Sequence, residues 1–302
     1  MLFTAIKPML LSMGKPEQIE EDERWIYDVK WDGWRILLHK EGDKIQAYTR
    51  EGNQVTHKFP ELKELATSIQ SNRAIIDCEG VVLRNGNSVF EDFAYRGLLN
   101  DPAKIATAMV THPVTFVAFD VLETEQSHIK EPLTNRKERL LDLISPSNII
   151  LPTPSVIADG NHLYDITRER NMEGIVQKKA DSTYQVNVRS KDWIKHKHFK
   201  LIDAIILGYK ENPFALIVGS KFGEQIKPVA TVEFGFKPEE KQAFRRIAGQ
   251  LVTQEQKGIK WLEPVLCCRV QYLEKTEKNH LRIVSFKGFN FEKKIDDCRW
   301  IS

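Results

Sequence analysis

The rhythm of apolar and polar positions along this chain changes near residue 200. Before it, runs rich in β-branched and aromatic residues predict strands over 25–29, 34–39, 44–48, 74–83, 114–122 and 174–178. Stretches with helical spacing between them predict helices over 59–69, 135–143 and 161–170, the second with Thr134 as its N-cap and Glu138 close behind. From residue 203 the pattern becomes short strands over 204–209, 215–218, 230–234 and 265–272, with one helical stretch over 238–251. The expected architecture is therefore α+β: a first domain of antiparallel sheets and helices over 1–200, then a mostly β domain over 201–302. One inserted helix among short strands suits a small barrel of the OB type. The junction, 199–202, has no long Gly/Ser-rich linker, which predicts a hinge that pivots about a few residues.

Composition narrows the functional classes only a little. With 302 residues and 41% hydrophobic content, the chain is long enough for two ordinary cores. The net charge is only +2, but residues 203–302 carry 17 Lys+Arg against 13 Asp+Glu, while 1–202 carry 27 against 29. A C-terminal part richer in cations fits a surface laid on phosphate backbone. No apolar run reaches the roughly 18 residues that span a membrane, and the start lacks a signal peptide's layout, so a cytosolic protein is expected. Cys78, Cys267, Cys268 and Cys298 include no C-x-x-C spacing and are expected to be reduced and mostly buried. There is no P-loop, so any nucleotide chemistry needs another device.

Lys30-Trp31-Asp32-Gly33-Trp34-Arg35 supplies one. A lysine at the end of a strand, followed by an Asp-Gly turn and an arginine, can attack the phosphorus of a nucleotide. Free lysine amines, with a pKa near 10.4, are neutral in roughly one molecule in a thousand at physiological pH, so the surroundings must favour the uncharged form. Partial burial and nearby cations would do so.

Further motifs follow in order: Thr49-Arg50-Glu51-Gly52, Asp77-Cys78-Glu79-Gly80, Phe116-Val117-Ala118-Phe119-Asp120, Glu173-Gly174-Ile175-Val176-Gln177-Lys178 and Trp193-Ile194-Lys195-His196-Lys197. In this order they resemble the ATP-dependent DNA ligase family of nucleotidyltransferases, most nearly the ligase component of bacterial end-joining ligase D. The resemblance extends into the last third, through 203–209 and 284–289, and so covers nearly the whole chain. It implies an adenylation domain followed by an OB-fold domain, with Lys30 forming a lysyl-AMP phosphoramide.

The resemblance also implies roles, each with a physical reason. Arg35 and Arg50 would clamp phosphate, in ATP or at the nick, through paired charged N–H donors. Glu79 would accept hydrogen bonds from the ribose, and Phe119 would stack on adenine. Asp28, two residues before the nucleophile, is placed with the nucleotide-binding residues. Glu173 is the first metal candidate for Mg²⁺ or Mn²⁺, and Asp77 the second. Lys178, Lys195 and Lys197 would surround the α-phosphate and favour neutral Lys30 by repulsion. On the alternation of a strand, Lys195 and Lys197 share a face opposite His196. Lys287 and Lys293 would meet DNA phosphate. Each residue alone also has an ordinary reading: a solvated hairpin lysine, a salt-bridged arginine, a core phenylalanine.

One departure stands out. The family's last motif usually reads Arg-x-Asp/Glu-Lys, whereas this chain has Asn290-Phe291-Glu292-Lys293. Asparagine offers no charged N–H pair to a leaving pyrophosphate, so Arg282, Lys287 or Lys294 would have to substitute. The resemblance implies nicked or broken duplex DNA as substrate, a Ku-like end-binding partner, and polymerase or nuclease modules in a longer parent chain. Alternatives are an RNA ligase, a GTP-using capping enzyme, and a nucleic-acid-binding protein that never carries AMP.

Overall fold

The computed structural model describes residues 2–300. They form two compact units, Met1–Lys197 and His198–Ser302. Among the described residues no helix is long and apolar enough to cross a membrane.

The first unit is built on two sheets. One has six strands: Lys44–Thr49, Trp34–Glu41, Arg73–Arg84, Val114–Glu123 and Ile150–Pro152 in that order, with Asn87–Ser88 paired to Arg73–Arg84. The other has five, in the order Leu10–Met13, Arg189–Lys197, Gly174–Lys179, Trp25–Val29 and Ser155–Ile157. The long apolar runs that mark the six-stranded sheet have a simple cause: it is covered on both faces. Ile36, Leu38, Ile76 and Phe116 pack with Phe59, Leu62, Leu65 and Phe93 on one side. Leu37, Ile75 and Leu122 turn the other way and meet Ile26, Tyr184 and Trp193, which belong to the layer of the five-stranded sheet. The candidate residues therefore come from two layers that share a core.

Three expectations need correction. The stretch 59–69 is not one helix but the 3₁₀ turn Pro60–Glu64 followed by the single α-turn Leu65–Ser68. Phe59, Leu62, Leu65 and Ser68, at every third position, are buried along it, as in a 3₁₀ repeat, with Glu61 and Ile69 buried beside them. Thr134 is not an N-cap, because the helix Leu133–Leu143 starts before it with Pro132 at the cap. The sheets are also not wholly antiparallel: Leu10–Met13 runs parallel to Arg189–Lys197, and Val114–Glu123 to Ile150–Pro152. The connections between those partners are long enough for a crossover, which a hairpin is not.

The second unit is a seven-stranded sheet in which Gln225–Val232, Phe214–Phe222, Lys200–Glu211, Ile259–Leu262 and Val252–Gln256 lie side by side. Cys267–Tyr272 pairs with Lys200–Glu211 and with Ser285–Phe289. The helix Pro238–Ala248 contributes Phe244 and Ala248 to the core of this sheet. All four cysteines are free and buried.

Candidate active site

Lys30 directly follows the strand Trp25–Val29, and Glu173 directly precedes Gly174–Lys179, its antiparallel neighbour. The Lys30 N–H donates to the Gly174 carbonyl at 2.9 Å, which fixes the two strand ends together. Glycine is required at 174: φ is +143° there, and a Cβ would come within 2.0 Å of the His196 carbonyl oxygen. Gly33 is similarly confined, since a Cβ would meet the Gly80 carbonyl at 2.0 Å. These close approaches account for the glycines of the Asp32-Gly33 and Glu173-Gly174 pairs.

The centre of the site is a carboxylate between two lysines. Glu173 Oε2 lies 2.6 Å from Lys30 Nζ, and Oε1 lies 2.5 Å from Lys197 Nζ, all three side chains being largely buried. Burial alone would push the Lys30 amine down, but Glu173 and Glu79 outweigh it and hold it above its usual range. The expectation of a neutral Lys30 is therefore corrected: while it rests against Glu173 it keeps its proton. It is Lys195 that is pushed down, to about 8, by burial, Lys197 and Lys30. Lys195 and Lys197 do share a face. His196 lies on the other, where Nε2 contacts Gln177 Oε1 at 2.8 Å and Nδ1 contacts the Lys15 carbonyl at 3.0 Å.

Glu79 is raised to about 8, first by burial and further by Glu173 and Asp32, against the opposing pull of Lys30 and Arg35. At neutral pH it is mostly a protonated acid, so its O–H donates, where the sequence suggested an acceptor only. A folded-state value above the ordinary 4.5 means that Glu79 favours folding at low pH and that this contribution is lost as pH rises towards about 8. Glu79→Gln keeps the shape and stays neutral. Its stability relative to the parent should thus rise between pH 5 and 9, by about 2–4 °C in Tm for each kcal/mol in a unit of this size. Melting curves at both pH values check it; a constant difference would show that Glu79 is already ionised at pH 5.

Arg35 and Asp77 are drawn together rather than towards a ligand. Arg35 Nε donates to Asp77 Oδ1 at 2.9 Å, Nη2 to Oδ2 at 2.5 Å, and Nη1 to the Met9 carbonyl at 2.6 Å. The Tyr184 hydroxyl also donates to Asp77 Oδ2, at 2.6 Å. Asp77 is 0% exposed with both oxygens occupied, so it is withdrawn as a metal ligand, and Arg35 as a free phosphate clamp. Arg50 stands apart: it is exposed and pairs with its neighbour Glu51 at 2.8 Å, with no element holding it in the site.

Phe119 is partly exposed, with Lys178 Nζ 4.5 Å and Arg35 Cζ 5.2 Å from its ring centre and Trp193 edge-on at 6.2 Å. Lys178 is itself 2.6 Å from buried Asp28. Lys137, a residue that local sequence gives no reason to select, bonds the same Asp28 from 109 positions away. Tyr184 was likewise invisible, since its only signal is an aromatic residue among polar neighbours.

The fit of a divalent cation rests on Glu173. Its buried Oε2 faces the Lys30 ammonium at 2.6 Å, and a hard cation would suit that carboxylate oxygen once Lys30 has given up its charge. Among the described residues no three His, Cys, Asp or Glu side chains converge on one point. That suits Mg²⁺, which binds through one or two carboxylates and keeps its remaining ligands from water and phosphate.

In the second unit, Arg269, Lys287, Asn290 and Lys293 line a groove of about 500 Å³. Asn290 Nδ2 donates to Asp203 Oδ1 at 3.0 Å, and Arg269 Nε reaches the same oxygen at 3.0 Å. Of the proposed substitutes for the absent arginine, Lys287 lines the groove, whereas Arg282 is paired with Glu274.

Comparison with known proteins identifies the family. The family model of the ATP dependent DNA ligase domain matches residues 8–197. The chain is 33% identical to the bifunctional non-homologous end joining protein LigD of Bacillus subtilis (strain 168), over 91% of this chain but only 48% of that protein. It is 31% identical to the SPbeta prophage-derived DNA ligase-like protein LigB of the same strain, over 94% of this chain and 98% of that one. Its fold resembles a mycobacterial DNA ligase D complexed with ATP and MES, with a TM-score of 0.57, 24% identity and 97% of each chain covered. With the family model spanning the unit that holds Lys30 and Glu173, and a relative matched almost end to end, the chain belongs to the ATP-dependent DNA ligase family.

Proposed function

We propose that this chain seals 5′-phosphate/3′-hydroxyl breaks in duplex DNA, using ATP and a lysyl-AMP intermediate, in repair of double-strand breaks by end joining. The observation that carries this reading is the placement of Lys30 against Glu173 and Lys197. A lone solvated lysine would need no such setting. On this reading Met1–Lys197 is the adenylation domain and His198–Ser302 is an OB-type barrel that lies on DNA. The names of its relatives support end joining; the reading itself adds a Ku-like protein as partner, linked polymerase or nuclease modules in a longer chain, and the bacterial cytosol and nucleoid as the setting.

The chemistry has three transfers. Lys30 Nζ gives up a proton and attacks the α-phosphorus of ATP, forming an N–P bond while the bond to pyrophosphate breaks. AMP then passes to the 5′-phosphate, and the 3′-hydroxyl attacks that phosphate and releases AMP. Lys195 and Lys197 stabilise the charge growing on the α-phosphate, Lys178 and Phe119 bind the nucleotide, and Glu79 hydrogen-bonds the ribose. A divalent cation held at Glu173 would neutralise phosphate charge and loosen the hold of Glu173 on the Lys30 proton.

The test is the intact mass of purified protein before and after ATP with Mg²⁺. A gain of one AMP, followed by sealing of a nicked duplex, is expected. No gain, on protein shown to carry no AMP beforehand, would defeat the reading. GTP serving in place of ATP would point to a capping enzyme, and preference for an RNA strand to an RNA ligase.

Asn290 provides a second check. An arginine at 290 would place two charged donors beside the groove, where they can orient the leaving pyrophosphate. Asn290→Arg should therefore speed adenylation by ATP several-fold and leave sealing by pre-adenylated protein nearly unchanged. Equal effects on the two rates would remove Asn290 from this role.

A further inference from the structure

Asp28 is a buried carboxylate with two lysines and a hydroxyl around it, and these partners are not equivalent. Lys137 Nζ donates to Asp28 Oδ1 at 2.7 Å, and the Ser155 hydroxyl donates to the same oxygen at 2.7 Å. Lys137 also donates to Ser155 Oγ at 2.8 Å, closing a three-membered network. On the other side, Oδ2 pairs with Lys178 Nζ at 2.6 Å. Lys178 therefore shares this one carboxylate with Lys137, and its ammonium lies over the rings of Phe119 at 4.5 Å and Trp193 at 4.2 Å.

We propose that Lys137 is a positioning residue of the nucleotide pocket: together with Ser155 it fixes one oxygen of Asp28 and shares that carboxylate's charge, so that Lys178 is held less tightly than by a carboxylate of its own and can turn to a nucleotide phosphate. The inference rests on the reading of this pocket as the ATP site. Its physical content is competition. One carboxylate faces two ammonium groups, and each weakens the other's attraction to it. Burial lowers Lys178 to about 8, Asp28 opposes this, and Lys137 adds to the lowering. The other charged groups facing Lys178 are Asp120, itself bound by Arg136, and Arg35, which shares the Phe119 and Trp193 rings. Removing Lys137 would leave Asp28 to Lys178 alone. The remaining pair would tighten, and Lys178 would hold its proton to higher pH and leave the carboxylate less readily.

The experiment is a side-chain NMR titration of lysine-labelled protein, with the Lys178 signal assigned by its loss in Lys178→Met. In Lys137→Met the Lys178 midpoint should move upward by about one pH unit. Lys137→Arg, which keeps the charge, should leave it within a few tenths. At pH 7.5 the rate of AMP uptake should fall about 10-fold in Lys137→Met and largely recover in Lys137→Arg. An unmoved Lys178 midpoint in folded Lys137→Met would overturn the proposal and leave Lys137 as a strut. Lys137→Gln, which retains a donor to Asp28 without the charge, serves if the methionine variant does not fold and is held to the same upward shift. Because the titration needs no catalysis, the two failures are distinguishable: a shifted midpoint in a protein that never takes up AMP would establish the sharing of Asp28 but defeat the ATP reading and, with it, the role of Lys137 in a nucleotide pocket.

Discussion

Lys30→Ala is expected to abolish the AMP adduct and to lower ATP-dependent nick sealing on the order of 10⁴-fold or more, the scale seen when a covalent nucleophile is removed. No neighbouring lysine can take over. Lys197 is engaged with Glu173 at 2.5 Å, and Lys178 faces Asp28 at 2.6 Å. Lys195 is lowered to about 8, as Lys178 is, yet it lies within the strand Arg189–Lys197 and is not the residue whose N–H is fixed to the Gly174 carbonyl. The same variant should still seal a nick whose 5′-phosphate already carries AMP, because that step needs no N–P bond. Intact mass and gel-based sealing of the two substrates measure both halves. Sealing of the pre-adenylated nick should fall far less than the ATP-dependent reaction. Equal loss on the two substrates would mean that alanine disrupts the pocket rather than removes the nucleophile.

What the sequence revealed, and what it concealed, follows from how far each interaction reaches along the chain. Strands such as Trp34–Glu41 and Val114–Glu123 were legible because a sheet covered on both faces sets apolar residues side by side, as in Ile36-Leu37-Leu38 and Phe116-Val117-Ala118-Phe119. The helix Pro102–Thr111 was overlooked although its start was encoded locally. Asp101 caps it by accepting from the Ala103 and Lys104 N–H groups, with Pro102 at the first helical position. Lys30, Glu173 and Lys197 were found through short motifs with tight backbone requirements. Lys137 was not, because its meaning depends on Asp28 across 109 positions and on nothing nearby. The protonation of Lys30 was misjudged for a related reason. Three cations can be counted in a sequence, but the carboxylate that stands between two of them has to be located in space.

Arg35→Met should destabilise the first unit by about 3–5 kcal/mol, the usual cost of leaving a buried ion without its partner. Asp77 is fully buried, and Arg35, 11% exposed, supplies its two charged donors. Among the described residues no other cation bonds that carboxylate: its remaining donor is the neutral Tyr184 hydroxyl, at 2.6 Å. Burial with Asp77 beside it holds the Arg35 guanidinium firmly protonated, since Asp77 outweighs the cost of desolvation. Adding Asp77→Asn to Arg35→Met removes the stranded charge while leaving Tyr184 an oxygen to donate to, so the double variant should recover at least half of the loss. Urea unfolding of the parent, both single variants and the double variant measures this coupling. A phosphate clamp would behave differently. The single variant would then lose affinity for ATP with its unfolding midpoint unchanged, and neutralising Asp77 would restore nothing. Arg35 also ties Asp77 to the Met9 carbonyl, so the pair joins strand Arg73–Arg84 to the segment that leads into Leu10–Met13. An ion pair placed there spends its charge on holding two layers in register, and under the proposed function phosphate binding falls to the lysines of the five-stranded sheet.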